Sequence, residues 1–211
     1  MGLIMTQKIY STPADDGDVR ADCLPLGNCD LFGDIATTGA NTIRVGDFST
    51  AVSKLRLRGF WVFDISGLAG PVSSAVLWLY YDNSWGPGGA NTAPDSTKVG
   101  HVIVDHLEDY TPFDKTDYEA VAKNANIGTI IGDDVAPAGW YTMDVTTYVN
   151  ADIVEADTPD NSCFRLRQSV AGVVTQRNEW RIRSGEAPGG DFTTSAHLLI
   201  EGGQIMMMRI T

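Results

Sequence analysis

Residues 56–81, RLRGFWVFDISGLAGPVSSAVLWLYY, constrain this chain more than any other stretch. Two apolar runs, residues 59–65 and 75–81, place bulky side chains at every second position and are separated by Ser, Gly and Pro. Successive side chains of a strand point to opposite faces, so period two reads as two strands joined by a turn. Trp61, Phe63 and Ile65 then share one face of the first strand, and Leu77, Leu79 and Tyr81 one face of the second.

The alternation returns along the chain. Residues 8–11, 41–48, 99–107, 140–145, 162–168, 176–184 and 196–201 read as further strands, with Ile43 and Val45, Phe164 and Leu166, and Trp180 and Ile182 inward. Arg165 and Arg167 face outward. On the strand at 99–107, His101 and Asp105 share a face and His106 takes the other, so the three do not form a metal constellation. Thr116 with Glu119 three residues on has the form of a capping box and predicts a short helix over 116–124. A turn or short helix is also predicted to begin at Thr146 or Thr147. Strands spaced by Gly, Pro and Asn turns indicate an all-β chain, an antiparallel β-sandwich with one short inserted helix. Its 211 residues suffice for one well-buried core, here a single domain over 1–203 with an apolar tail, 204–211, as a candidate docking strand.

Charge removes some functions. With 27 acidic against 15 basic residues the net charge is −12, which argues against nucleic acid, whose affinity comes from Lys and Arg on phosphates. No apolar run approaches the roughly 20 residues of a membrane-spanning helix, and no membrane partner is expected. Residues 1–10 lack a basic region followed by an apolar core, so they read as a mature start, although Gly2 and Thr6 satisfy the myristoylation spacing. The three cysteines, Cys23, Cys29 and Cys163, have no zinc spacing and read as idle thiols, unless an oxidising compartment lets Cys23 and Cys29 close a small loop.

Candidate sites are few. Asp15, Asp16 and Asp18 around Gly17 are oxygen donors suited to calcium, set against the reading of a solvated acidic turn; no other cofactor is expected. Residues 82–98 read as a long polar loop carrying Trp85. A loop of that length is functional or disordered more often than not, so Trp85 is either a contact for sugar or protein or a pin onto its own sandwich. Tyr81 and Tyr110 join it as glycan- or partner-contact candidates. G-x-S-x-G, H-E-x-x-H and a Gly-rich phosphate loop are all missing, and no catalysis is expected.

Four blocks, residues 31–48 (LFGDIATTGANTIRVGDF), 58–81, 140–149 (WYTMDVTTYV) and the set FRLR, WRIRSGE and AHLLIEG near the end, are together similar to the DNRLRE-type domain, also described as disaggregatase-related. The resemblance spans about residues 8–202. It implies a β-jelly-roll, carbohydrate-binding-module-like sandwich. Phe63, Asp64, Leu68, Leu77, Leu79, Trp140, Asp144, Val145, Thr146, Ser184 and Glu186 would be its scaffold. Asp144 and Thr146 suit bonding to backbone at a strand end, and Glu186 suits the amides of a closing turn.

The chain's apolar segments are Leu3 and Ile4 at its start and Ile205, Met206, Met207, Met208 and Ile210 at its end. Adaptable apolar side chains of this kind suit docking on neighbours. The expectation is a non-catalytic structural protein of a virion surface, a capsid decoration or cement protein of a bacteriophage. It would contact capsid or fibre subunits and copies of itself in a homo-oligomer, and present a glycan-binding face to polysaccharide. The alternative is an extracellular, stand-alone carbohydrate-binding module or adhesin.

Overall fold

The computed structural model describes residues 6–12, 14–23, 35–38, 42–49, 54–86, 89–90, 92, 94–108, 113–132, 137–155, 161–170, 177–184 and 192–202. In chain order the strands are β1 (Thr6–Tyr10), β2 (Gly17–Asp22), β3 (Ile35–Thr38), β4 (Thr42–Ser49), β5 (Lys54–Asp64), β6 (Ser74–Gly86) and β7 (Gly89–Ala90). A one-turn helix α1 (Ser96–Val99) precedes β8 (Val102–Leu107), and a 3-10 turn at Lys115–Glu119 precedes β9 (Ala122–Ile131) and β10 (Gly139–Asp144). Helix α2 (Thr146–Val154), β11 (Asn161–Gln168), β12 (Asn178–Arg183), a 3-10 turn at Phe192–Thr194 and β13 (His197–Glu201) complete the elements of the described residues. The class is all-β and antiparallel, an open sandwich-like sheet with one short helix of more than a single turn.

The two apolar runs lie on the two longest described strands, 59–64 on β5 with Ile65 just past its end and 75–81 on β6, and those strands organise the rest. The hydrogen-bonded path runs β1-β13-β6-β12-β4-β5-β11-β8-β9. β6 pairs with β10 along one edge and with β13 and then β12 along the other. β5 repeats the arrangement, with β2 on one edge and β4 and then β11 on the other. A strand must be long to hold two partners in tandem, and these have 11 and 13 residues.

The inward positions meet as read. Trp61, Phe63 and Ile65 share a buried cluster with Leu77, Leu79, Tyr81, Ile43, Val45, Phe164, Leu166, Trp180 and Ile182. Burying a side chain of this size is worth about 1.5–3 kcal/mol. The opposite face of β5 is buried too, because β2 and the 3-10 turn at Lys115–Glu119 contribute Val19, Ala21 and Tyr118 to a second cluster with Phe60 and Val62. Gly59 is required between these faces. A Cβ there would lie 2.7 Å from the Ile43 side chain and 2.8 Å from the Trp61 ring.

Local chemistry moves the predicted helix. Asp114, not Thr116, is the cap: its carboxylate accepts from the Thr116 amide at 2.6 Å, and Asp117 accepts from the Asp114 amide at 2.6 Å. The capping box therefore sits two residues earlier than the sequence reading placed it and closes only a 3-10 turn. The chain then joins β8 as β9 instead of continuing as helix. The helix that does form is α2, starting at Thr146. The Thr146 amide and hydroxyl both donate to Asp144 Oδ1, at 2.9 and 2.6 Å, while the Ala75 amide donates to Thr146 Oγ1 at 2.9 Å. Asp144 and Thr146 thus do bond backbone at a strand end. Glu186 lies outside the described residues.

Of the two states open to Cys23, idle thiol or disulfide, the structure has the disulfide, while Cys163 is buried and outside any disulfide. The Cys23 amide donates to Lys54 O at 2.7 Å, which pins its backbone at the end of β2. Among the described residues no helix is long and apolar enough to cross a membrane.

Gly46 tests the packing of β4. Its φ is +118° and a Cβ there would sit 2.4 Å from Asn178 O, on the paired strand β12. Gly46→Ala is predicted to lower stability by about 2 kcal/mol or more, through left-handed strain and displaced backbone. Urea denaturation followed by tryptophan fluorescence reads this directly, and an unchanged midpoint would contradict it.

Candidate functional site

The outward positions of β6 carry Trp78 and Tyr80, between the buried Leu77, Leu79 and Tyr81. Residues directly opposite on neighbouring strands share a face. Register therefore sets Tyr10 of β1 beside His197 of β13, His197 beside Trp78, and Trp78 beside Thr142 of β10. The next pair along is Tyr80 and Trp140. Four strands thus bring five rings to one outer surface.

Their geometry is close. Trp78 stacks on His197 with centroids 5.8 Å apart and planes 9° from parallel. Trp140 stands edge-on to Trp78 at 5.9 Å, to Tyr80 at 5.4 Å and to His197 at 5.2 Å. Between them lies a cavity of about 250 Å³ lined by Lys8, Trp78, Trp140, Thr193, His197 and Leu199.

Polar groups surround this apolar floor. The His197 ring bonds Ser195 O through Nδ1 at 2.9 Å. Burial lowers the His197 pKa, and the charge of Lys8 acts in the same direction against that backbone bond. A neutral ring donating through Nδ1 presents Nε2 as an acceptor. The Trp78 indole N–H is buried with no partner among the described residues, which leaves it unsatisfied by them. Lys8 is exposed and makes no ion pair among the described residues. Flat apolar rings with a donor, an acceptor, a hydroxyl and a cation at their rim suit a ligand with both a hydrocarbon face and hydroxyl edges.

The residues singled out from the sequence fall elsewhere. Tyr81 is 3% exposed, on the core side of β6, edge-on to Tyr141 at 6.0 Å. Trp85 belongs to strand, not loop, because residues 83–85 pair with β12 and Trp85 also pairs with β7. Backbone pairing thus carries β6 well past the point where apolar alternation stops. The side chain of Trp85, and all of Tyr110, Leu3, Ile4, Ile205, Met206, Met207, Met208 and Ile210, lie outside the described residues.

The acidic turn does not gather its carboxylates. Asp16 is buried and accepts from the Val62 amide at 3.1 Å and from Ser11 Oγ at 2.5 Å. Asp18 pairs with Arg20 at 3.1 Å and Arg44 at 3.2 Å. Asp15 is half-buried. Among the described residues no group of three or more His, Cys, Asp or Glu is placed to hold a metal ion.

One buried polar cluster contains Ser, His and Asp together. His106 Nε2 lies 2.9 Å from the Asp152 carboxylate, Ser162 Oγ donates to the same carboxylate, and Lys123 pairs with it at 3.2 Å. Hydroxyl and imidazole thus both bond Asp152 and not each other, so the imidazole is not set to take a proton from the hydroxyl. The cluster ties α2 to β8, β9 and β11. A scan of the chain against protein-family models and a search against curated proteins return no match.

Trp78, Tyr80, Tyr10, Trp140 and His197 were missed as site residues. The available signal was Trp78 and Tyr80 at the outward positions of a run whose alternate residues are core. Nothing in the spacing said which strand would lie alongside.

Two predictions arise from the buried charges. Asp152→Ala removes one carboxylate from His106, Ser162 and Lys123 and is predicted to cost about 3 kcal/mol or more, measurable by chemical denaturation. Separately, burial raises Asp47 and Asp117 to about 6 from 3.8. A raised carboxyl stabilises the fold fully below its unfolded pKa, and that contribution is lost as pH rises through about 6. His197, lowered from 6.5, acts in the opposite sense as pH falls. The test is therefore a difference: between about pH 7.5 and pH 5 the wild type should gain stability relative to an Asp47→Asn/Asp117→Asn variant. Parallel melting curves against pH would refute the assignment.

Proposed function

We propose that this protein is a non-catalytic binding protein whose outer sheet face holds a saccharide ring in the cavity between Trp78, Trp140 and His197. The observation that carries the proposal is the register-built aromatic surface itself. Sugar rings offer C–H faces to aromatic planes and hydroxyls to Lys8, Thr193 and His197 Nε2, so both halves of the site have a use. The Cys23 disulfide favours an oxidising, extracellular setting in which polysaccharide is met. A glycan-binding face is common to the virion-surface and stand-alone module readings. The assembly role rests on Leu3, Ile4 and the tail 204–211, outside the described residues, and lends this proposal no weight.

The test is a glycan panel followed by calorimetric titration of any ligand found. Trp78→Ala and Trp140→Ala should each weaken binding about tenfold or more, equivalent to about 1.4 kcal/mol, with circular dichroism unchanged. Saturable binding that both variants retain would place the ligand elsewhere. Failure of every polysaccharide to bind would remove the proposal.

A further inference from the structure

Strands β5 and β11 each carry the triplet Arg-Leu-Arg, at residues 56–58 and 165–167. The strands are neighbours, and Arg165 lies opposite Phe60. Alternation then puts Arg56, Arg58, Arg165 and Arg167 on one face, the face away from the main core, with Leu57 and Leu166 on the other. In a chain of net charge −12 this is a local excess of the rarer sign.

Among the described residues the carboxylates are shared unevenly over these arginines. Arg56 pairs with Asp47 at 3.1 Å. Arg165 and Arg167 share Asp105, at 2.8 and 2.7 Å. Burial pushes Asp105 up, but bonds from Arg167, the Asn126 amide and Arg165 outweigh it and hold the carboxyl below its ordinary value. Among the described residues Arg58 has no buried carboxylate partner. It donates to Tyr118 O, lies 4.1 Å from the Tyr118 ring centroid, and among those residues its carboxylate is Glu119, at 3.7 Å and 41% exposed. Burial and then repulsion from Arg165 and Arg167 lower its pKa, although Tyr118 and Glu119 oppose the shift.

A cavity of about 70 Å³ opens among these groups, lined by Arg56, Leu57, Arg58, Arg167, Gln168 and Ser169. Partly buried positive charge without a matching anion is unfavourable, and a guanidinium fork matches a planar or tetrahedral oxyanion with paired hydrogen bonds. The small volume admits a head group rather than a sugar ring. We propose that this cavity is a binding site for a small oxyanion, namely a carboxylate, sulfate or phosphate group, held by Arg58 and Arg167 with Arg56 behind them. It shares no residue with the aromatic cavity, and it stands whether or not a saccharide binds there.

The experiment is calorimetric titration of the full chain with phosphate, sulfate and acetate in turn, at constant ionic strength in chloride, so that nonspecific screening is common to all arms. At least one should bind saturably with one equivalent per chain, and which one identifies the chemical source. Arg167→Gln should weaken it about tenfold or more, because Asp105 keeps Arg165 as partner while the cavity loses a fork. Arg181→Gln, which removes a guanidinium paired with Glu179 on β12, should leave affinity unchanged. If Arg167→Gln fails to fold, Arg167→Lys keeps the charge without the fork and should also weaken binding; undiminished affinity in it would overturn the site. So would the absence of saturable binding in every arm, or equal weakening by Arg167→Gln and Arg181→Gln.

Discussion

Burial of Trp61 and Phe63 from β5, and of Ile65 just past its end, in one core with Leu77, Leu79 and Tyr81 from β6 is the constraint on which the other elements depend. Both strands are committed to that core by every second residue, so their backbone edges are fixed in space. Each edge is an obligatory row of donors and acceptors that must be paired. Supplying those partners takes β10, β13 and β12 around β6, and β2, β4 and β11 around β5. The sheet is therefore less a stack of independent hairpins than two long templates with shorter strands laid along them.

This arrangement explains why the two candidate sites lie where they do. A strand whose inner face is core has an outer face that the core does not specify. On β6 that outer face bears aromatics, and the register of β13 and β10 adds His197 and Trp140 to it. On β5 the outer face is split. Phe60 and Val62 pack with Val19, Ala21 and Tyr118, while Arg58 and Arg167 are covered only in part.

Internal charge in this protein acts mainly as a fastener. Asp16 holds the Val62 amide, Asp152 joins His106, Ser162 and Lys123, and Glu179, fully buried, takes Arg177 and Arg181 at 2.5 and 2.9 Å. Breaking such a pair from one side leaves a buried charge without compensation, which is why each ties its segments firmly even where its net contribution is small. The acidic turn at 15–18 belongs here. Its residue types suit a cation, but Arg44, brought in from β4, occupies Asp18.

Period-two alternation by itself determined the class, most of the strands and the inward residues, because burying one face of a strand demands that pattern and little else produces it. Asp144 and Thr146 were legible as a strand-end bond for a similar reason: the partners are close in sequence. The failures share the opposite cause. The pairing of 122–131 with β8 in place of a helix, the extension of β6 through Trp85 and the second buried face of β5 depend on which segments cover or pair with them. The aromatic surface and the arginine cavity depend on the same thing. Trp78, Trp140 and His197 come from three strands, and the two Arg-Leu-Arg triplets stand more than a hundred residues apart. Facing direction is a local property of a strand, written in its own residues. Adjacency is a property of register between distant strands, and only the tertiary structure decides it.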